Sequence, residues 1–176
     1  MAPWLPEQGL AMVYAQRGVG KSWFTWQIAL SVATGAPFLS WQIPESKRVL
    51  LIDGEMLCAV TRERFEKLVE ALPVDLPENL PLSIITPDIQ ELGMPDLSDE
   101  AGQQALEPFV DEADLIMVDN ISTLVRNGRK NETESWVPIQ AWALKQRVKR
   151  KTILFIHHAG KGGDQRGSSK HEDVLD

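Results

Sequence analysis

Residues 15 to 22 read AQRGVGKS, which matches G-x-x-x-x-G-K-[ST] everywhere except the first position, where Ala15 stands for glycine. That spacing suits a triphosphate. Backbone N–H groups from Gly18 to Ser22 would converge on an anion, helped by the positive end of a following helix dipole. Lys21 would reach the β- and γ-oxygens, and the Ser22 hydroxyl would bind Mg²⁺. Gly18 and Gly20 permit close backbone approach, and Arg17, Val19 and Trp23 complete the stretch expected against the nucleotide. The first glycine of the pattern ends a strand and need not touch phosphate, so one added methyl group is a mild departure. An ordinary glycine-rich turn is the competing reading; the apolar run LAMVY before the loop and the helical stretch KSWFTWQIALSVAT after it favour the phosphate loop.

Two acidic segments supply the rest of such a site. DLIMVDN is an apolar strand ending in Asp119, the Walker B pattern, whose carboxylate holds Mg²⁺ through water. Alone it is weak, since buried strands often end in Asp. It gains weight beside the loop motif, because its strand should neighbour the LAMVY strand with both carboxyl ends on one edge, where ligands of open α/β sheets bind. In LLIDGEM, Asp53 and Glu55 compete to orient or deprotonate a water in line with the γ-phosphate. Asp53 ends the strand, whereas Glu55 projects beyond Gly54 and is the better base; a solvated turn acid is the bland alternative. The pair His157–His158 invites a zinc reading, but adjacent strand residues point to opposite faces and no third ligand accompanies them at metal spacing.

These residues need a scaffold, and the chain provides the pattern of one. Five continuous apolar runs, at 10–14, 48–53, 82–86, 114–119 and 152–158, read as strands covered on both faces. Helical stretches alternate with them: one apolar nearly all round at 21–34, amphipathic ones at 61–72 and 98–112 with Ser98 as N-cap, and a last one starting near Ser135. In that last helix Pro138 falls in the first turn, and Val137, Ala141, Leu144 and Val148 form one apolar stripe. Strand and helix in alternation imply a mostly parallel sheet with helices on both faces. With 176 residues, a single domain is expected. No apolar run approaches a membrane span, no signal segment is evident, and the lone Cys58, read as a passive core thiol, suits a reducing cytoplasm.

The strings GLAMVYAQRGVGKSW, RVLLIDGEM, DLIMVDNISTLVR and ILFIHHAGKGGDQRGSS, in this order and spacing, resemble the RecA-like P-loop ATPases of the RecA/DnaB superfamily. The closest look is to RepA-type plasmid replicative helicases and related primase-associated AAA ATPases, over about Leu10 to Asp176. The resemblance implies a RecA-like P-loop NTPase fold, a three-layer α/β/α sandwich with a mostly parallel central sheet. It implies ATP and Mg²⁺ as ligands, Glu55 as catalytic base, Lys21 and Ser22 on phosphate and metal, and Asp119 in Walker B. The position of His157 resembles the sensor of the γ-phosphate. Such domains usually continue with further strands, so 1–176 reads as a single ATPase domain truncated at its C-terminal end.

Charge is distributed unevenly. Lys and Arg number 7 against 19 Asp and Glu up to Val125, and 11 against 6 from Arg126 onward, a balance of −12 followed by +5. Arg126, Arg129 and Lys130 follow Walker B on the edge that also carries the Gly- and Ser-rich loop after His158, which includes Lys170. Two basic loops on one edge of an acidic domain suit single-stranded DNA in a channel shared by several subunits. In the resembling family such loops face the centre of a homo-oligomeric ring, and Arg166 or Lys161 could be presented to the neighbouring subunit's nucleotide. The run KQRVKRK, at a helix C-terminus, is better read as complementing the dipole, and the tryptophans as core packing. The leading expectation is a Mg²⁺-dependent ATPase that moves along or remodels DNA, helicase-like. The alternatives are a nucleotide-binding regulatory module without motor activity, or a small-molecule kinase, for which no Arg-rich lid is evident.

Overall fold

The computed structural model describes residues 4–125, 132–158 and 175. Among these, five strands form one sheet: β1 (Leu10–Ala15), β2 (Val49–Asp53), β3 (Leu82–Ile85), β4 (Leu115–Asp119) and β5 (Thr152–His158). Every pairing is parallel, in the order β1-β5-β4-β2-β3. The loop strand and the Walker B strand are therefore not neighbours as expected, because β5 lies between them. Sequence reveals which segments are strands; the order is set by which crossovers can pack, and it places the end of β5 between those of β1 and β4.

Alternation along each strand sorts side chains onto two cores. Ala11, Val49, Leu51, Leu115, Met117, Leu154 and Ile156 face α1 (Lys21–Thr34) and the inner side of α2 (Cys58–Glu70). Leu10, Leu50, Ile52, Ile116, Val118, Ile153 and Phe155 face α3 (Glu100–Glu112), the short α4 (Ile121–Leu124) and α5 (Glu132–Val148). The result is the expected three-layer α/β/α arrangement. Helix α1 begins where the loop delivers the chain from the left-handed Gly20 and ends at left-handed Gly35, a conformation that costs glycine little.

Four local expectations are corrected. The N-cap of α3 is Asp99, whose side chain accepts from the Gly102 N–H, while the Ser98 hydroxyl turns to Asp96. Helix α5 begins at Glu132, so Pro138 lies inside it rather than in its first turn. Its stripe faces outward: Val137, Leu144 and Val148 are exposed, the last 85%, and the buried face is Trp136, Ile139, Trp142, Ala143 and Gln146. Both faces are apolar enough to fit, and the larger surface of two tryptophans decides which one is buried. Cys58 is exposed at the start of α2 rather than in the core. No helix among the described residues is long and apolar enough to cross a membrane.

Candidate functional site

The turn between β1 and α1 carries the phosphate-loop residues at the carboxyl edge of the sheet. Gly18 and Gly20 have φ of 83° and 94°, and a Cβ on either would meet no atom of the described residues within 4 Å, so glycine is there for backbone conformation rather than for want of space. Lys21 folds back over the loop, its Nζ donating to the carbonyls of Ala15 at 2.7 Å and Gln16 at 2.8 Å. Burial lowers the pKa of its ammonium, and the negative charges of Asp119 and Glu55 oppose that shift.

A cavity of about 430 Å³ opens over this turn. Arg17, Gly18, Gly20, Lys21, Ser22 and Trp23 line it from the loop and α1, and Glu55, Arg64, Asp119 and His158 from the sheet edge and α2. Val19 is not among its walls; it stands 63% exposed at the loop tip. Trp23, expected against the nucleotide and also read with the other tryptophans as core packing, is not in the core: it lines the cavity, 39% exposed, with the Arg64 guanidinium 5.4 Å from its ring centroid.

Strand register brings the acidic groups together. Asp53 and Asp119 are Cα partners at the ends of β2 and β4, and the period of two points both carboxylates toward α1. Asp53 is 2% exposed and its Oδ1 accepts from the amides of Glu55 and Met56, each at 2.9 Å. It thereby fixes the turn from which Glu55 enters the cavity. The Gly54 amide donates to the Asp119 carbonyl at 2.6 Å, tying that turn to β4. Among the described residues Oδ2 of Asp119 is buried without a hydrogen-bond partner, and the pKa of that carboxyl is pushed up to about 7, first by burial and then by the charges of Asp53 and Glu55. Beyond it, through a cis Asp119–Asn120 peptide, the chain enters α4.

His157, the residue expected to sense phosphate, does not line the cavity. By alternation it belongs with Ile153 and Phe155 on the α5 side of β5, whereas His158 belongs with Leu154 and Ile156 on the α1 side. Nε2 of His158 lies 3.4 Å from Oε1 of Glu55 and 3.1 Å from Nδ2 of Asn120. Burial lowers its pKa, opposed by the hydrogen bond to Glu55. Which of the adjacent histidines faces the cavity could have been read from sequence by counting the period back along TILFI. Arg64 left a signal too: it is the one charged residue on the inner α2 face made by Thr61, Phe65 and Leu68. Asn120 left none. The finger candidates Arg166 and Lys161 and the DNA candidates Arg126, Arg129, Lys130 and Lys170 lie outside the described residues.

The sequence profile of the AAA domain family matches residues 1–164. The chain belongs to that AAA family. No curated protein sequence matches it. In fold it is similar to a KaiC-like protein of the hyperthermophilic archaeon Pyrococcus horikoshii OT3, with a TM-score of 0.62 and 13% identity over 95% of this chain and 68% of that one. Family and fold are those of a RecA-like P-loop ATPase; neither singles out the RepA-type helicase branch.

Proposed function

We propose that this AAA domain hydrolyses ATP with Mg²⁺ and couples hydrolysis to translocation on, or remodelling of, single-stranded DNA. The observation that carries the hydrolytic half is convergence: the phosphate-loop turn, Lys21, Asp119 and Glu55 line one cavity at the carboxyl edge of the sheet. The amides of the turn and the Lys21 ammonium receive the phosphate chain, whose oxygens compete with the Ala15 and Gln16 carbonyls that now hold Nζ. Glu55 takes a proton from the attacking water, and Asp53 and Gly54 hold it in place for that step. His158, in the role expected of His157, touches the base and so reports the state of the nucleotide.

The donor set fits a magnesium ion. The orphaned Oδ2 of Asp119 needs either a proton or a cation, and the Ser22 hydroxyl lines the same cavity. Ser22 and Asp119 would hold the ion, which when bound supplies charge neutralisation to the phosphoryl group. Positioning and electrostatics carry the rate, with no covalent intermediate on the protein.

The DNA half is supported by the turn to positive charge after Arg126, close in sequence to Walker B. The test measures ATP hydrolysis with and without single-stranded DNA across a salt series. Stimulation that fades with salt, and that disappears when Arg126, Arg129 and Lys130 are changed to Gln, is expected. Hydrolysis indifferent to DNA at every salt concentration would leave a nucleotide-binding regulatory module instead.

A further inference from the structure

Asn120 is completely buried immediately beyond Walker B, and nothing in the phosphate-loop pattern requires an amide there. Its Oδ1 accepts the Thr123 N–H at 3.3 Å, capping α4, and that contact fixes which way the amide is turned. Nδ2 therefore faces Nε2 of His158, 3.1 Å away. The same Nε2 lies 3.4 Å from the Glu55 carboxylate. These two contacts make opposite demands: the amide nitrogen can only donate and an ionised carboxylate can only accept, while Nε2 of a neutral imidazole does one or the other. The shorter contact favours acceptance from Asn120, which puts the imidazole proton on Nδ1; that atom is buried with no hydrogen-bond partner among the described residues, so the Asn120 contact holds this tautomer against the cost of one unmade bond, whereas the other tautomer would leave the buried Asn120 donor unmatched.

We propose that Asn120 is a positioning residue for hydrolysis: by donating to Nε2 it holds His158 as the Nδ1-protonated tautomer and leaves the Glu55 carboxylate free to take a proton from water. If the proton were on Nε2, His158 would donate to Glu55, weakening it as a base, and the Asn120 donor would lose its acceptor. The inference rests on Glu55 being the base.

The experiment uses the full chain with ¹⁵N-labelled histidine, whose three rings are assigned with His157→Gln and His171→Gln variants. Long-range ¹H–¹⁵N spectra then read the His158 tautomer directly. The wild type should show a protonated Nδ1. Asn120→Asp keeps the cap but replaces the donor with an acceptor, and should move the proton to Nε2; Asn120→Ala removes the donor without adding charge. Both should lower kcat on the order of tenfold to a hundredfold while leaving the KM for ATP within about twofold. A merely structural role would not move the tautomer. A protonated Nε2 in the wild type, or an unchanged tautomer and kcat in both variants, overturns the proposal. Absence of ATP hydrolysis by the wild type would instead sink the ATPase reading, while the spectra would still show whether Asn120 orients His158.

Discussion

Gly54 separates the buried Asp53 from Glu55, the proposed base, and the space it leaves is filled by α4. A Cβ built there would fall well inside contact distance of Thr123 Oγ1 and 3.0 Å from Leu124 Cγ, so Gly54→Ala forces Thr123 or the turn to move. The backbone itself is no obstacle, since Gly54 is not among the positive-φ glycines. Rotating Thr123 away breaks its hydrogen bond to the Asn120 carbonyl, 3.0 Å long, a loss of about 1 kcal/mol. Overpacking against Leu124 adds about 1–3 kcal/mol. A destabilisation of about 2–4 kcal/mol is expected, equivalent to a fall in Tm of roughly 4–16 °C for a chain of this size. Thr123→Ala removes the nearest atom, so the double variant should recover at least about 1 kcal/mol relative to the sum of the single ones. Urea unfolding of the four proteins reads this coupling. Strict additivity would refute the claim that α4 packs on the turn that carries Glu55.

Four further outcomes follow from the same geometry. Glu55→Gln should retain ATP affinity while turnover falls on the order of 10²–10⁴-fold; unchanged turnover in a single-turnover assay removes Glu55 from the role. Lys21→Met, which gives up the Nζ contacts with the loop carbonyls and any with phosphate, should abolish measurable ATP binding by calorimetry, and near-normal affinity would show that the turn does not hold a triphosphate. Arg64→Ala should change Trp23 emission and reduce stability by about 0.5–1 kcal/mol, the worth of an exposed cation–π pair; an unaltered spectrum would separate the two side chains. Arg48 binds Asp114 through Nε at 3.0 Å and Nη2 at 2.7 Å, which holds that carboxyl below the usual carboxylate range. The native-state pKa is thus below the unfolded one, so the contribution is present above about pH 4 and is lost as pH falls through the native value. Wild type should exceed Asp114→Asn at pH 7 by less than ~1 kcal/mol, because the pair is partly solvated, and the gap should close near pH 2 in urea titrations. A gap that widens on acidification would contradict the sign.

The sequence by itself determined the five strands, most of the helices and the glycine turn between β1 and α1. Those features are local: continuous apolar runs, a helix beginning at Lys21, and glycines where φ must be positive. It also put Glu55 and Asp119 at the same cavity, because each lies at a strand's carboxyl end and parallel strands put all such ends on one edge. Helix faces and neighbour relations were beyond it. The α5 stripe Val137, Leu144 and Val148 has the right period for a buried face, yet the competing face with Trp136 and Trp142 covers more apolar surface and takes the core. Only the tertiary structure inserted β5 between β1 and β4, and with it brought His158 against Glu55 and Asn120, residues 103 and 38 positions away along the chain. A hydrogen bond between such distant residues leaves no periodicity in the sequence; it exists because three parallel strands end side by side, and their register decides which side chains meet.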